Sequence, residues 1–411
     1  MFTLKMAFRN IFRQRRRSIL TGLSMLGGFF MAALFIGFSD GSYNDIIDKF
    51  TRTRMGHIQI HEKTYLDRPS LYKTINNIPE IGDILESTKN VESWTPRLFS
   101  AGLVSVGMKT AGVQIIGIDP EKERQTTQFD SKILDGRSFS DIPSHEVILG
   151  KGLAEILKAA VEDEIVIISQ ASDGSIAEDL YRIVGILSSG DDIGDRTAFY
   201  LHLQDAQELL TLEGRVHEIA VTLTKLNKVV KTNRLIAEKI DGEILVSHTW
   251  QEFAKAFYSA MKADQEGMWI MLVIIVIIVA VGVLNTVLMS VLERRREYGI
   301  LKALGTRPKQ IVKLVILEVS ILALISIILG TGLGLLSNSY LAAHGFNISK
   351  FYKGMETLTY GGIKFETMKS VVNLRSFIIP TVTIVFVAIF VGFFPALKAA
   401  RTDPAKTMRM H

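Results

Sequence analysis

The chain contains no cysteine in 411 residues, which excludes disulfides, thiolate metal sites and cysteine nucleophiles. Its eight histidines lack ligand spacing. The pairs His61-Glu62, His145-Glu146 and His217-Glu218 have no second histidine four residues after the first, so the helical zinc motif cannot form. Gly102 and Gly107 are spaced like the start of a phosphate loop, but Met108 stands where that motif needs lysine. The Gly-x-Ser-x-Gly spacing at 37–41 lies where the first apolar run continues into a helical pattern, not at a strand-to-helix turn, so it makes no nucleophile elbow, and there is no low-complexity linker or internal repeat. The sequence therefore presents no catalytic residue, no metal site and no cofactor bound by this chain.

What it has in quantity is apolar surface. Hydrophobic residues make up 48% of the chain. Runs 18–38, 268–292 and 377–397 carry no charge, and 311–336 carries only Lys313 and Glu318 near one end. A membrane-spanning helix needs about 20 apolar residues, so all four runs qualify. The first exceeds the ~7–15-residue core of a signal peptide and lacks a small-x-small cleavage site, which favours an uncleaved anchor.

Charge sets the orientation. Segment 1–17, including Arg15, Arg16 and Arg17, loop 293–310, including Arg294, Arg295 and Arg296, and tail 398–411 together hold 16 basic and three acidic residues. Four spans put these segments on one side, and the basic excess makes that side cytoplasmic. They carry +13 within a chain of formal charge +5, leaving −8 elsewhere. The pI near 9.1 is thus topogenic and does not indicate nucleic acid. Residues 39–267 form a large extracytoplasmic segment and 337–376 a short one. The large segment reads as mixed α/β. Strand patterns occur at 56–60, 112–118, 146–149, 164–169, 181–187 and 217–223, and helical ones at 151–160, 204–212 and 227–240. The first and second apolar runs continue into helical patterns at 39–54 and 247–267, as stalks carrying a domain would.

Between the second and third runs lies "NTVLMSVLERRREYGILKALGTRPKQIVKLVILE", residues 285–318. Asn285, a polar group inside a span, calls for a helix–helix hydrogen bond. Residues 297–304 predict a short helix, about 12 Å long. At ~100° per residue, Tyr298, Ile300, Leu301 and Leu304 share one side, while Gly299, Lys302 and Ala303 share the other. Glu297 suits the helix start, Gly305 its stop, Thr306 the next cap and Pro308 the next first turn. A topogenic loop needs only charge, so a capped amphipathic helix points to a docking element. Gly28-x-x-x-Ala32 and Gly330-x-x-x-Gly334 offer small faces for close helix packing, within the chain or between subunits.

The same stretch closely resembles the coupling-helix region of the MacB/FtsX/LolC-LolE class of ABC-transporter membrane subunits. "MAFRNIFRQRRRSILTGLSMLGG" resembles that family's opening helix, and "FPALKAARTDPAKTMR" its closing segment. "GVQIIGIDPEKE", "LDGRSFSD" and "EVILGKGLAEIL" are similar to its extracytoplasmic core domain, and "GHIQIHEKTYLDRP" to the lipoprotein-release branch. Val161-Glu162-Asp163 departs from the family's usual Gly-Asp pair, and nothing matches the hook that recruits a chaperone. The resemblance implies an α-helical membrane protein with four spans and a large α/β periplasmic domain, in the bacterial inner membrane. It implies a non-catalytic subunit whose partners are a cytoplasmic ABC ATPase holding ATP and Mg, a second permease subunit in a homodimer or heterodimer, membrane lipid and a periplasmic protein. The ATPase would dock at 297–305, and mechanotransmission would drive lipoprotein release. Efflux of a peptide, lipid or antibiotic, and regulation of a periplasmic hydrolase, are the alternatives.

Overall fold

The computed structural model describes residues 2–13, 15–140, 142–347, 358–360, 363–365 and 367–402. Most of the 348–366 region and the closing segment beyond Thr402 lie outside the described residues. Two compact units result. One comprises Met1–Asn44, Lys262–Phe351 and Thr367–His411, the other Asp45–Met261 and Tyr352–Glu366.

The first unit is helical. An amphipathic helix, Phe2–Arg13, precedes four helices long and apolar enough to cross a membrane. These are Arg15–Phe50, prolonged by a π turn at Thr51–Met55, then Lys255–Glu293, Pro308–His344 and Arg375–Ala400. Each outruns its apolar stretch in the sequence. Met25, Phe29 and Ala33 of the first, Val279 and Val283 of the second, Val315 and Val319 of the third and Ile384 and Ala388 of the fourth form one core. The small residues fit this packing. A Cβ on Gly28 would lie 2.2 Å from Val279, and one on Gly330 2.6 Å from the Phe29 ring. Gly334 faces Ala33 and Phe377, and Ala32 packs with Leu272. All four small positions therefore meet neighbours in the same chain. Asn285 does not follow expectation: it is exposed on its helix, and no described residue hydrogen-bonds its side chain.

The second unit is built on a ten-stranded sheet. Its strands are β1 Ile58–Glu62, β2 Val91–Val106, β3 Lys109–Ile118, β4 Ile133–Gly136, β5 Glu146–Gly150, β6 Glu164–Gln170, β7 Ile176–Leu187, β8 Ala198–His202, β9 Glu218–Leu223 and β10 Leu245–Thr249. The order is β10-β1-β9-β2-β3-β8-β5-β7-β4, with β6 bridging β2 and β7. Buried Ile, Leu and Val on one face pack against helices that include Ile78–Glu86 and Val229–Ala237. The longest strand, β2, had no strand signal because Pro96 and Gly102 interrupt its pattern. Likewise the end of β10 falls within the helical pattern expected at 247–267, since Ser247, His248 and Thr249 run without a break signal into Trp250–Phe253.

A polar cavity of about 270 Å³ lies within this unit, lined by Gln59, Arg97, Glu123, Lys132, Tyr200 and Glu218 among others. Buried Arg97 donates through Nε to Glu123 at 3.2 Å and through Nη1 to Glu218 at 3.1 Å. Beside it, Lys132 donates to the Thr53 carbonyl of the π turn. Burial pushes the Lys132 ammonium down to about 8, although Glu123 pulls it up. Between pH 8 and the ordinary lysine range the unfolded chain holds more protons at this residue than the folded one. Its contribution to stability therefore rises with pH over that window. The expected outcome is that wild type gains about 1–3 kcal/mol on Lys132→Met between pH 7.5 and 10. Denaturation series at each pH check this, and a flat difference would mean that Lys132 is solvated.

Candidate coupling site

The helix Lys255–Glu293 stops at a single non-helical residue, Arg294, and a nine-residue helix, Arg295–Ala303, follows. Leu304 closes it and Gly305 takes φ +91°, a conformation glycine enters without a Cβ penalty. The Thr306 N–H donates to Leu301 O and the Gly305 N–H to Lys302 O, the paired bonds of a Schellman stop. The next helix begins at Pro308 with Arg307 as its cap, where Thr306 was expected. The Arg307 N–H donates to Gln310 Oε1 at 2.9 Å.

The inward face differs from the expected amphipathic arc. Tyr298 and Gly299 are buried, and Leu301 packs against the membrane-unit core. Ile300 and Leu304, assigned to the same arc, are 45% and 79% exposed. Lys302, assigned to the open side, turns inward and donates to Ala400 O at 3.1 Å and Thr402 O at 2.8 Å. A cation there satisfies carbonyls left open at the end of Arg375–Ala400 and suits its dipole. Gly299 shares the buried side because no side chain holds its backbone away, while Ala303 is exposed.

Arg294 ties the helix to the rest of the unit. Its Nη1 donates to both Glu318 oxygens at 3.0 and 2.8 Å, and its Nε to Glu297 Oε2 at 2.9 Å. Asn10 of the N-terminal helix donates to Glu318 Oε1 at 2.5 Å. Arg13 pairs with Glu297 at 3.3 Å, and Arg17 pairs with Glu293. Burial alone would lower the Arg294 pKa. The negative charges of Glu318 and Glu297, with the Tyr298 phenol, hold it above its ordinary value instead. Four segments thus meet at one guanidinium–carboxylate pair. From sequence, Arg294 is topogenic and Glu318 lies near the end of its apolar run; no local pattern links positions 24 residues apart across a turn. Arg295 and Arg296 remain outside this network.

A cavity of about 40 Å³ adjoins the pair, lined by Asn10, Arg17, Thr21, Ser290, Tyr298 and Glu318 among others. The Tyr298 hydroxyl and Arg17 Nη1 are buried there without a protein partner, and the space suits a bridging water. Burial pushes the Tyr298 phenol well above its usual range. Tyr298→Phe is therefore expected to keep stability within about 1 kcal/mol, since the hydroxyl has no protein bond to lose. Tyr298→Ala should cost about 3–5 kcal/mol through the cavity it opens. Thermal midpoints of the purified chain compare the two, and equal losses would mean that the hydroxyl is bonded.

Chemically the arrangement holds a short helix rigidly by its inner side and leaves Ile300, Ala303 and Leu304 outward. The MacB-like periplasmic core domain matches residues 18–238, and the FtsX-like permease C-terminal matches 269–404. The lipoprotein-releasing system transmembrane protein LolC of Neisseria meningitidis serogroup B is 23% identical over 337 residues, covering 79% of each chain. An ABC transporter permease of Methanocaldococcus jannaschii is 24% identical and covers 98% of this chain and 96% of its own. The macrolide export ATP-binding/permease protein MacB of a Shewanella species is 22% identical over 98% of this chain but 60% of its own length. The solved periplasmic region of MacB from Actinobacillus actinomycetemcomitans aligns at 16% identity with a TM-score of 0.37, covering 50% of this chain and 94% of that one. The chain belongs to the family of ABC-transporter permeases that join a MacB-like periplasmic core domain to an FtsX-like permease C-terminal.

Proposed function

We propose that this chain receives the stroke of a separate cytoplasmic ABC ATPase at the Arg295–Ala303 helix and passes it to the α/β unit, with no substrate crossing the bilayer. One observation carries the reading: the helix is tied inward at Arg294, Tyr298 and Lys302, while Ile300 and Leu304 are left outward. A loop serving topology alone needs neither the ties nor the exposed leucine. ATP and Mg belong to the ATPase. Segments 1–17, 293–310 and 398–411 lie in the cytoplasm and 39–267 in the periplasm, with the two long helices at its ends as stalks, all in the inner membrane.

The cargo is a lipid-modified protein, in keeping with the Neisseria relative. The Shewanella relative supports a second reading, export of a small molecule, because it matches 98% of this chain. Photocrosslinkers at the exposed positions Met108 and Ile176, in living cells, separate these readings. A lipid-modified protein among the adducts supports release. A hydrolase in its place assigns regulation, and no protein adduct at either site favours export of a small molecule.

The subunit pairs with a second permease through the Lys255–Glu293 helix. Asn285 supports this, because an amide exposed within a span is costly until another polar group meets it. The cysteine-free sequence makes the test direct. Asn285→Cys should crosslink into dimers in native membranes, whereas Phe390→Cys, exposed on the fourth long helix, should not. Equal yields at both positions would remove the argument from Asn285.

A further inference from the structure

The N-terminal helix, Phe2–Arg13, has a face that the coupling role does not use. Its inner side buries Ala7 and Ile11 and sends Asn10 to Glu318. On the outer side Phe8 and Phe12 stand 53% and 55% exposed, with ring centroids 5.0 Å apart. Beside them, at four-residue spacing, run Lys5, Arg9 and Arg13. The helix has no acidic residue in its first turn, and its sequence contains none anywhere. Arg13 is held by Glu297, but Lys5, Arg9, Arg15 and Arg16 pair with no carboxylate among the described residues. In the helix that follows, Ile19, Leu20 and Leu23 are exposed as well.

An exposed aromatic stripe flanked by a cationic stripe is the composition of a helix lying flat in a membrane surface. Its rings enter the acyl boundary and its basic groups meet phosphate oxygens. We propose that Phe2–Arg13 is seated in the cytoplasmic leaflet and binds anionic phospholipid headgroups through Lys5, Arg9, Arg15 and Arg16. This rests on the orientation given above, which puts residues 1–17 in the cytoplasm. Two features favour lipid over protein as the occupant. The helix is closely followed in sequence by a span whose own exposed Ile19, Leu20 and Leu23 would meet acyl chains. The four unpaired cations match a surface carrying one charge sign and no fixed pattern. Because Asn10 bonds Glu318, the leaflet then holds one corner of the Arg294 network in place.

The test uses the full chain in vesicles. Phe12→Cys carries a spin label, and collisions with oxygen and with an aqueous nickel chelate report its depth; Glu238→Cys, exposed on the α/β unit, is the aqueous reference. In vesicles of phosphatidylethanolamine with roughly one third phosphatidylglycerol, the label at position 12 should be oxygen-accessible and shielded from the chelate. Native mass spectrometry then counts retained phosphatidylglycerol against phosphatidylcholine. Each basic residue near an anionic surface contributes about fivefold, so Lys5→Gln with Arg9→Gln should lower that preference roughly twentyfold. Chelate access at position 12 equal to that at position 238 overturns the proposal. So does shielding that appears only when the ATPase is added, which would assign this face to protein contact. So does a lipid preference unchanged by the double substitution. Co-purification of the ATPase is scored separately, so loss of the lipid result with the complex intact leaves the coupling reading standing.

Discussion

Glu318→Ala is expected to lower the thermal midpoint of the chain sharply and to abolish its complex with the ATPase. The carboxylate takes two bonds from Arg294 and one from Asn10, and it is mostly buried. Removing it leaves the Arg294 guanidinium, 7% exposed, without its main counter-charge. Breaking one side of such a pair costs about 3–5 kcal/mol. That is a large share of the roughly 5–15 kcal/mol that holds an ordinary domain together. Glu297 still pairs with Arg294, which keeps the loss from being larger. The double variant Arg294→Met/Glu318→Leu separates folding from coupling, because replacing both ions with apolar groups is often neutral or stabilising. It should recover the thermal midpoint. If the pair also fixes the angle of the short helix, ATP turnover stimulated by the recovered protein should stay low. A Glu318→Ala chain with the wild-type midpoint would show that the two side chains do not meet.

Leu304→Asp is expected to release the ATPase while leaving the chain as stable as wild type. Leu304 is 79% exposed and Ile300 45%, and neither belongs to a buried cluster of the membrane unit. Burying a leucine against a partner contributes about 1.5–3 kcal/mol, and a carboxylate at the same contact adds a desolvation cost. About 1.4 kcal/mol is one decade of affinity, so docking should weaken more than tenfold. Ile300→Asp should act the same way, somewhat less strongly. Leu301→Asp is a different experiment. Leu301 packs against the unit's own core, so that variant should lose stability first and docking as a consequence. Lys302→Ala is no neutral control, since it frees the Ala400 and Thr402 carbonyls. Co-purification and thermal midpoints, measured together, sort the four variants. Full ATPase retention by both Leu304→Asp and Ile300→Asp would leave the helix with a topogenic and interfacial role only.

Several features were legible because they depend on neighbours in sequence. The apolar runs marked all four long helices, and Gly305 marked the end of the short one, where φ reaches +91°. The strands around 112–118, 164–169 and 181–187 followed from β-branched residues bounded by turns. The inward face of Arg295–Ala303 was not legible. Period alone groups Tyr298 with Ile300 and Leu304, but the face that packs is chosen by what lies beneath it. Here Gly299 lets the backbone approach, and the end of Arg375–Ala400 offers carbonyls that Lys302 reaches. The Arg294–Glu318 pair was hidden for a related reason. Its members looked like a basic cluster and a lone helix-end acid until the turn at Gly305 folded one helix back on the other. Asn10, 308 positions from Glu318, could not have been assigned by any pattern in the chain.

The helix Lys255–Glu293 contains no proline, unlike Arg375–Ala400, which carries Pro380 and Pro395. Within 262–293, the part of this helix that belongs to the helical unit, there is no proline, no π turn and no adjacent Gly/Ser pair to act as a joint. Those 32 residues span about 48 Å at 1.5 Å per residue. A rod of that length has the proportions of a lever arm. One degree of tilt about the Glu293 end would sweep Lys262 through about 0.8 Å, and five degrees through about 4 Å. Arg294, whose Nη1 holds both Glu318 oxygens, follows directly on the short end of that lever.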